Sequence, residues 1–171
     1  MTLLVLLLLL TLPYLILTLV GKWNPRLRIA PANRARVGVT LFFIFTSLGH
    51  FVRTEPMAEM LPAAVPYRIE LIYLTGVFEL LGAIGVWIPR LTRIVGVLLI
   101  VMLLGLLPAN IYSAFNRVEF GGHGAGPWYL LVRIPFQLFA ICWTYFATQQ
   151  NWFGKTINSR RAPPRGTVCW C

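Results

Sequence analysis

Five side chains in this sequence carry chemistry that greasy surroundings normally exclude: His50, Glu79, Asn110, Arg133 and Gln137. Each lies in or at the edge of a long apolar run. An ionisable group in such a run is costly to bury, turns toward protein rather than lipid, and is a functional hypothesis by default. Imidazole can donate and accept, and it exchanges a proton near neutral pH. Arg133 is a permanent cation and needs an acidic or carbonyl partner. Glu79, or failing that Glu70, is the carboxylate expected to meet it. Gln137 is four residues beyond Arg133 and shares its helical face, so with Asn110 it can complete the hydrogen bonding. Such a set can bind the oxygens of a small molecule, a quinone for example, or simply lock helices to one another.

Other chemistries find little support. The chain has no aspartate, so no Ser/His/Asp set can form. Its three cysteines, Cys142, Cys169 and Cys171, show no Cys-x-x-Cys or zinc-ligand spacing, and no metal site is expected. The run Gly121–Gly126 lacks the Lys-Ser or Lys-Thr ending of a phosphate-binding loop and reads as a flexible connector, with His123 a weak metal candidate.

The elements that position the five residues are five apolar segments: 2–20, 37–52, 69–88, 94–115 and 128–147. Backbone polar groups in lipid must be satisfied internally, so runs of this length become helices. The expected fold class is all-α, a polytopic membrane bundle. Alternate connectors differ sharply in charge: eleven basic residues on one side, three on the other. Cytoplasmic loops are the Lys- and Arg-rich ones. The implied topology is five spans in the plasma (inner) membrane, N-terminus outside and C-terminus in the cytoplasm. The first segment lacks a basic n-region and exceeds a signal h-region in length, so it reads as a retained span. Mean hydropathy of +0.74 agrees with membrane residence. The net charge of +10 is met by anionic lipid head groups next to the spans, and no nucleic-acid partner is expected.

Depth orders the polar residues. Alternating spans put His50, Glu79, Asn110 and Arg133 in one half of the bundle, contributed by four different segments. The second segment, short at 16 residues, can extend into the basic connector, with Arg34 and Arg36 snorkelling to the interface. Thr75, Gly76, Glu79, Gly82 and Ala83 form a stripe that lets helices approach closely. The connector 89–93 forces an antiparallel hairpin. Pro108 and Pro135 should kink their helices or open the backbone ladder locally. Met57, Met60 and Leu61 share a face, as a turn resting on the bilayer or as a lid over a pocket.

Several motifs occur together in order: Ser47-Leu48-Gly49-His50-Phe51, Glu55-Pro56-Met57, Tyr73-Leu74-Thr75-Gly76-Val77-Phe78-Glu79, Pro108-Ala109-Asn110-Ile111-Tyr112 and Arg133-Ile134-Pro135-Phe136-Gln137. From about 37 to 147 the chain resembles the DoxX-like family of small membrane proteins. The resemblance implies a four-helix membrane domain over 37–148, an added N-terminal helix over 1–21 and a basic, disordered tail over 149–171. The first functional reading is a non-catalytic membrane component or scaffold that binds a partner or lipid. Some relatives are linked to quinone-dependent redox chemistry, which makes a quinone the cofactor, and a redox protein the partner, of a second reading. A small transporter or channel is the third.

Overall fold

A computed structural model of the chain describes residues 2–27 and 29–161. Among these residues there are helices and no strand. In chain order the α-helices are α1 (Thr2–Trp23), α2 (Pro31–Val52), α3 (Thr54–Ala58), α4 (Arg68–Gly85), α5 (Thr92–Phe115) and α6 (Leu130–Arg161). Short 3₁₀ turns cover Pro25–Leu27 and His123–Tyr129. Cys169 and Cys171 lie outside the described residues.

Helices α2, α4, α5 and α6 form a ring in which each touches two neighbours, and α1 packs outside it against α2 and α6. Consecutive members are antiparallel. Gly82 and Gly85 of α4 face Leu99 and Val95 of α5, as a hairpin requires. Among the described residues, four helical stretches are long and apolar enough to cross a membrane: Leu3–Trp23, Pro31–Val52, Thr92–Phe115 and Gly124–Gln149. The sequence reading expected five. α4 has 18 residues and carries Arg68, Glu70 and Glu79, which sets it apart from the other four. Its outward face is nevertheless apolar: Leu74, Val77, Phe78, Leu81 and Ile84 are exposed, while Gly76, Glu79, Gly82 and Ala83 are buried. This pattern inverts what water would select.

One boundary differs clearly from expectation. α2 begins at Pro31, not 37, because proline suits the first helical position, where no N–H is needed. The extra turns bring Arg34 and Arg36 into the helix, but neither simply snorkels. Arg36 is buried; its Nε donates to the Ala147 carbonyl of α6 at 3.0 Å and an Nη donates to Asn33 Oδ1 at 3.1 Å. Arg34 donates to Thr18 Oγ1 of α1 at 2.8 Å and lies over the Tyr14 ring. Helix α6 runs to Arg161. Both α5 and α6 continue through their prolines, Pro108 and Pro135.

Small residues set the closest approaches. A Cβ on Gly38 would collide with the Leu10 backbone carbonyl of α1, an atom that cannot swing aside. A Cβ on Gly96 would collide with Thr148 of α6. The end of the ring below these contacts is sealed by fully buried Leu10, Val39, Phe43 and Val86, with Leu99 and Ala147.

Gly38→Ala is expected to lower stability by about 1–3 kcal/mol, the usual cost of overpacking. Gly105→Ala, where an added Cβ meets nothing within 4 Å, should leave stability unchanged or raise it slightly. Thermal unfolding of the two variants in detergent checks the contrast.

Candidate functional site

At the opposite end the ring does not close. Four helices leave a cavity of about 340 Å³, lined from every α-helix of the fold. Its walls are apolar: Leu3 and Leu6 from α1, Phe42 and Phe45 from α2, Leu103 and Leu106 from α5. Met57, Met60 and Leu61, from the segment around α3, also line it. Phe120, Gly121 and Tyr129 contribute from the connector before α6. That connector is ordered, not a loose loop. Gly121, Gly122 and Gly126 adopt φ of 64°, 105° and 73°, and the Tyr129 hydroxyl donates to the Gly121 carbonyl at 2.7 Å. Only glycine takes such angles without strain.

The polar residues gather at this cavity. His50, Glu79, Asn110 and Arg133 all line it. Gln137 does not reach it; it is buried behind Asn110. The convergence depends on how α2 and α4 meet. Ser47 Oγ donates to the Gly76 carbonyl at 2.8 Å, and a Cβ on Gly76 would press on His50 Cβ and the Phe51 ring. With glycine there, the imidazole and the next inward residue of α4, Glu79, come together. His50 Nε2 and Glu79 Oε1 are 3.6 Å apart. Both side chains are buried, at 7% and 2% exposure.

This contact overturns the expected Arg133–Glu79 pairing. Among the described residues, no carboxylate is within ion-pair reach of Arg133. Its Nε donates to Asn110 Oδ1 at 3.2 Å, and its guanidinium lies 5.8 Å from the centre of the Phe136 ring. The physical reason is lateral. Glu79 faces α2 across the glycine stripe, whereas Arg133 on α6 faces α5, the neighbour on its other side. Glu70, the reserve partner, is exposed on α4, and Thr75 Oγ1 bonds back to the Leu71 carbonyl of its own helix at 2.8 Å. Neither joins the site.

A second network runs from Arg133 into the bundle. Asn110 Nδ2 donates to Gln137 Oε1 at 3.3 Å and to the Leu106 carbonyl at 2.9 Å. Gln137 Nε2 donates to the Leu103 carbonyl. Pro108 lies in the middle of this stretch of α5 and cannot donate to the carbonyl four residues before it. The two amides therefore brace the helix where its backbone ladder is weakest. Sequence reasoning identified Gln137 and Asn110 through their depth and spacing. It missed Leu3, Leu6 and Tyr129, whose apolar or aromatic character resembles that of any other buried residue.

Two polar atoms at the site have no hydrogen-bond partner: His50 Nδ1 and Glu79 Oε2. A buried, unsatisfied group costs about 1–3 kcal/mol. A third such atom, Trp143 Nε1, lies among Tyr14, Phe139 and Phe146 instead. The site thus combines an imidazole–carboxylate contact with spare capacity, a guanidinium engaged through one nitrogen, and apolar walls. That combination can seat an amphiphilic molecule with a polar head.

Double-mutant cycles separate the two networks. His50 with Glu79, and Arg133 with Asn110, are expected to couple by about 0.5–3 kcal/mol, whereas Arg133 with Glu79 should be additive to within about 0.5 kcal/mol. Thermal unfolding of the single and double variants in detergent measures both.

A search of curated proteins returns no match, and neither does a search of solved structures. A family model described as a domain of unknown function (DUF8561) matches residues 39–148, from the middle of α2 to the part of α6 beside Gly96. That stretch carries His50, Glu79, Asn110, Arg133 and Gln137 and leaves out α1. With well over half of its length matched, the chain belongs to the DUF8561 family.

Proposed function

We propose that this chain is a multi-pass membrane component, without catalytic activity of its own, that holds a small amphiphilic molecule of lipid character between its helices. The supporting observation is the cavity of about 340 Å³, in which apolar walls meet the polar side chains of His50, Glu79, Asn110 and Arg133. Small-molecule sites are usually concave, mostly apolar and fitted with a few convergent polar groups. The motif resemblance to DoxX-like proteins belongs to the same proposal, as does a role as scaffold for a partner protein.

In this reading α4 is a fifth crossing. Its 18 residues reach about 27 Å, close to the hydrocarbon thickness, and its exposed face is apolar. The basic connectors put the N-terminus outside and the C-terminus in the cytoplasm of the plasma membrane. The cavity then opens in the outer half. A quinone-linked redox component is the second reading. The His50–Glu79 contact favours it, since that pair could hold a proton beside a quinone oxygen. A channel or transporter gains less support, because the other end of the bundle is packed with Leu10, Val39, Phe43, Val86 and Leu99 and a through-path needs polar lining or water at both ends.

Two measurements test the proposal. A reporter inserted near Gly124 should behave as external and one after Arg165 as cytoplasmic; the reverse result would move the cavity to the cytoplasmic side. Native mass spectrometry of gently extracted protein should find a retained small molecule. His50→Gln and Asn110→Ala should each lower its occupancy at least severalfold in folded protein. If both variants retain it fully, the cavity is not its site. The retained mass distinguishes a lipid from a quinone.

A further inference from the structure

The charges around the cavity indicate which head group it takes. Arg53 and Arg133 line it as cations and Glu79 as its one carboxylate. Glu79 is met by His50 at 3.6 Å. Arg133 has no ion-pair partner among the described residues. Its Nε is turned to Asn110, a neutral amide, and among the described residues no acceptor takes its Nη groups. An arginine fork presents paired N–H donors that match a carboxylate bidentately. His50 lines the same cavity from a side chain more than nine-tenths buried.

We infer that the cavity binds a single-chain amphiphile with a carboxylate head: the head on the Arg133 guanidinium, the chain against Leu3, Leu6, Phe42, Leu103 and Leu106. This rests on the small-molecule reading above and specifies its ligand class. Arg53 is exposed, so one negative charge balances the half-buried Arg133. A phosphate monoester would bring a second charge toward Glu79, and a neutral quinone would leave the guanidinium uncompensated. The cavity volume suits one chain and not a two-chain phospholipid. α1 supplies two of the wall residues, Leu3 and Leu6, although it lies outside the stretch shared with the family.

The test uses the full chain in nanodiscs of neutral phosphatidylcholine at pH 8, stripped of native ligand by repeated exchange. Dodecanoate, dodecanol and a short-tailed benzoquinone are added separately, and retention is read by native mass spectrometry. Dodecanoate should be retained at least tenfold better than dodecanol, and Arg133→Gln should erase that preference. Arg133→Lys, which keeps the charge but loses the fork, should reduce it severalfold, and it decides the matter if the glutamine variant does not fold. Equal retention of dodecanol, stronger retention of the quinone, or an undiminished preference in the Arg133 variants would overturn the carboxylate assignment while sparing the small-molecule reading. Retention of none of the three would overturn both.

Discussion

The close approach of α2 and α4 at Gly76 is the constraint on which the site depends. It brings the α2 backbone near enough for Ser47 to reach the Gly76 carbonyl and for His50 to reach Glu79. Both members of that contact are buried, and burial makes an unpaired polar group expensive. The glycine stripe and the polar pair therefore belong to one design. Replacing Gly76 would force the helices apart, and a wider gap would leave the carboxylate without its imidazole.

The rest of the bundle divides its labour around this contact. One end is packed shut by aliphatic and aromatic side chains and clasped by Arg36 on the Ala147 carbonyl. The other end is held open by a frame of amides. Asn110 and Gln137 join α5 to α6 beside Pro108, and the glycine-rich connector, pinned by Tyr129, closes over the top. A rigid frame around a cavity costs the protein contacts it could otherwise have made. The unpartnered Nδ1 and Oε2 atoms show where that cost is concentrated.

Much of this was legible in the residues. Hydrophobic run length located the helices, although α2 is longer than its apolar stretch because proline placement, not hydropathy, sets its start. Alternating spans placed His50, Glu79, Asn110 and Arg133 at one depth, and they do line one cavity. The pairing within the set was not legible. Position along a span sets height in the bundle but not which neighbour a side chain faces, so Glu79 was assigned to Arg133 when it faces His50. The role of α1 was equally hidden. Nothing in a run of leucines distinguishes a cavity wall from a lipid-facing surface, yet Leu3 and Leu6 line the cavity while Leu4 and Leu8 are exposed.

An experimental structure of the protein extracted with its native lipids tests the central claim most directly. The expected result is non-protein density in the cavity, elongated along Leu6 and Leu103 and within hydrogen-bonding distance of His50 Nδ1 or an Arg133 Nη. Ordered water on His50 and Glu79 in an otherwise empty cavity would contradict it. The polar cluster would then be a lock between helices.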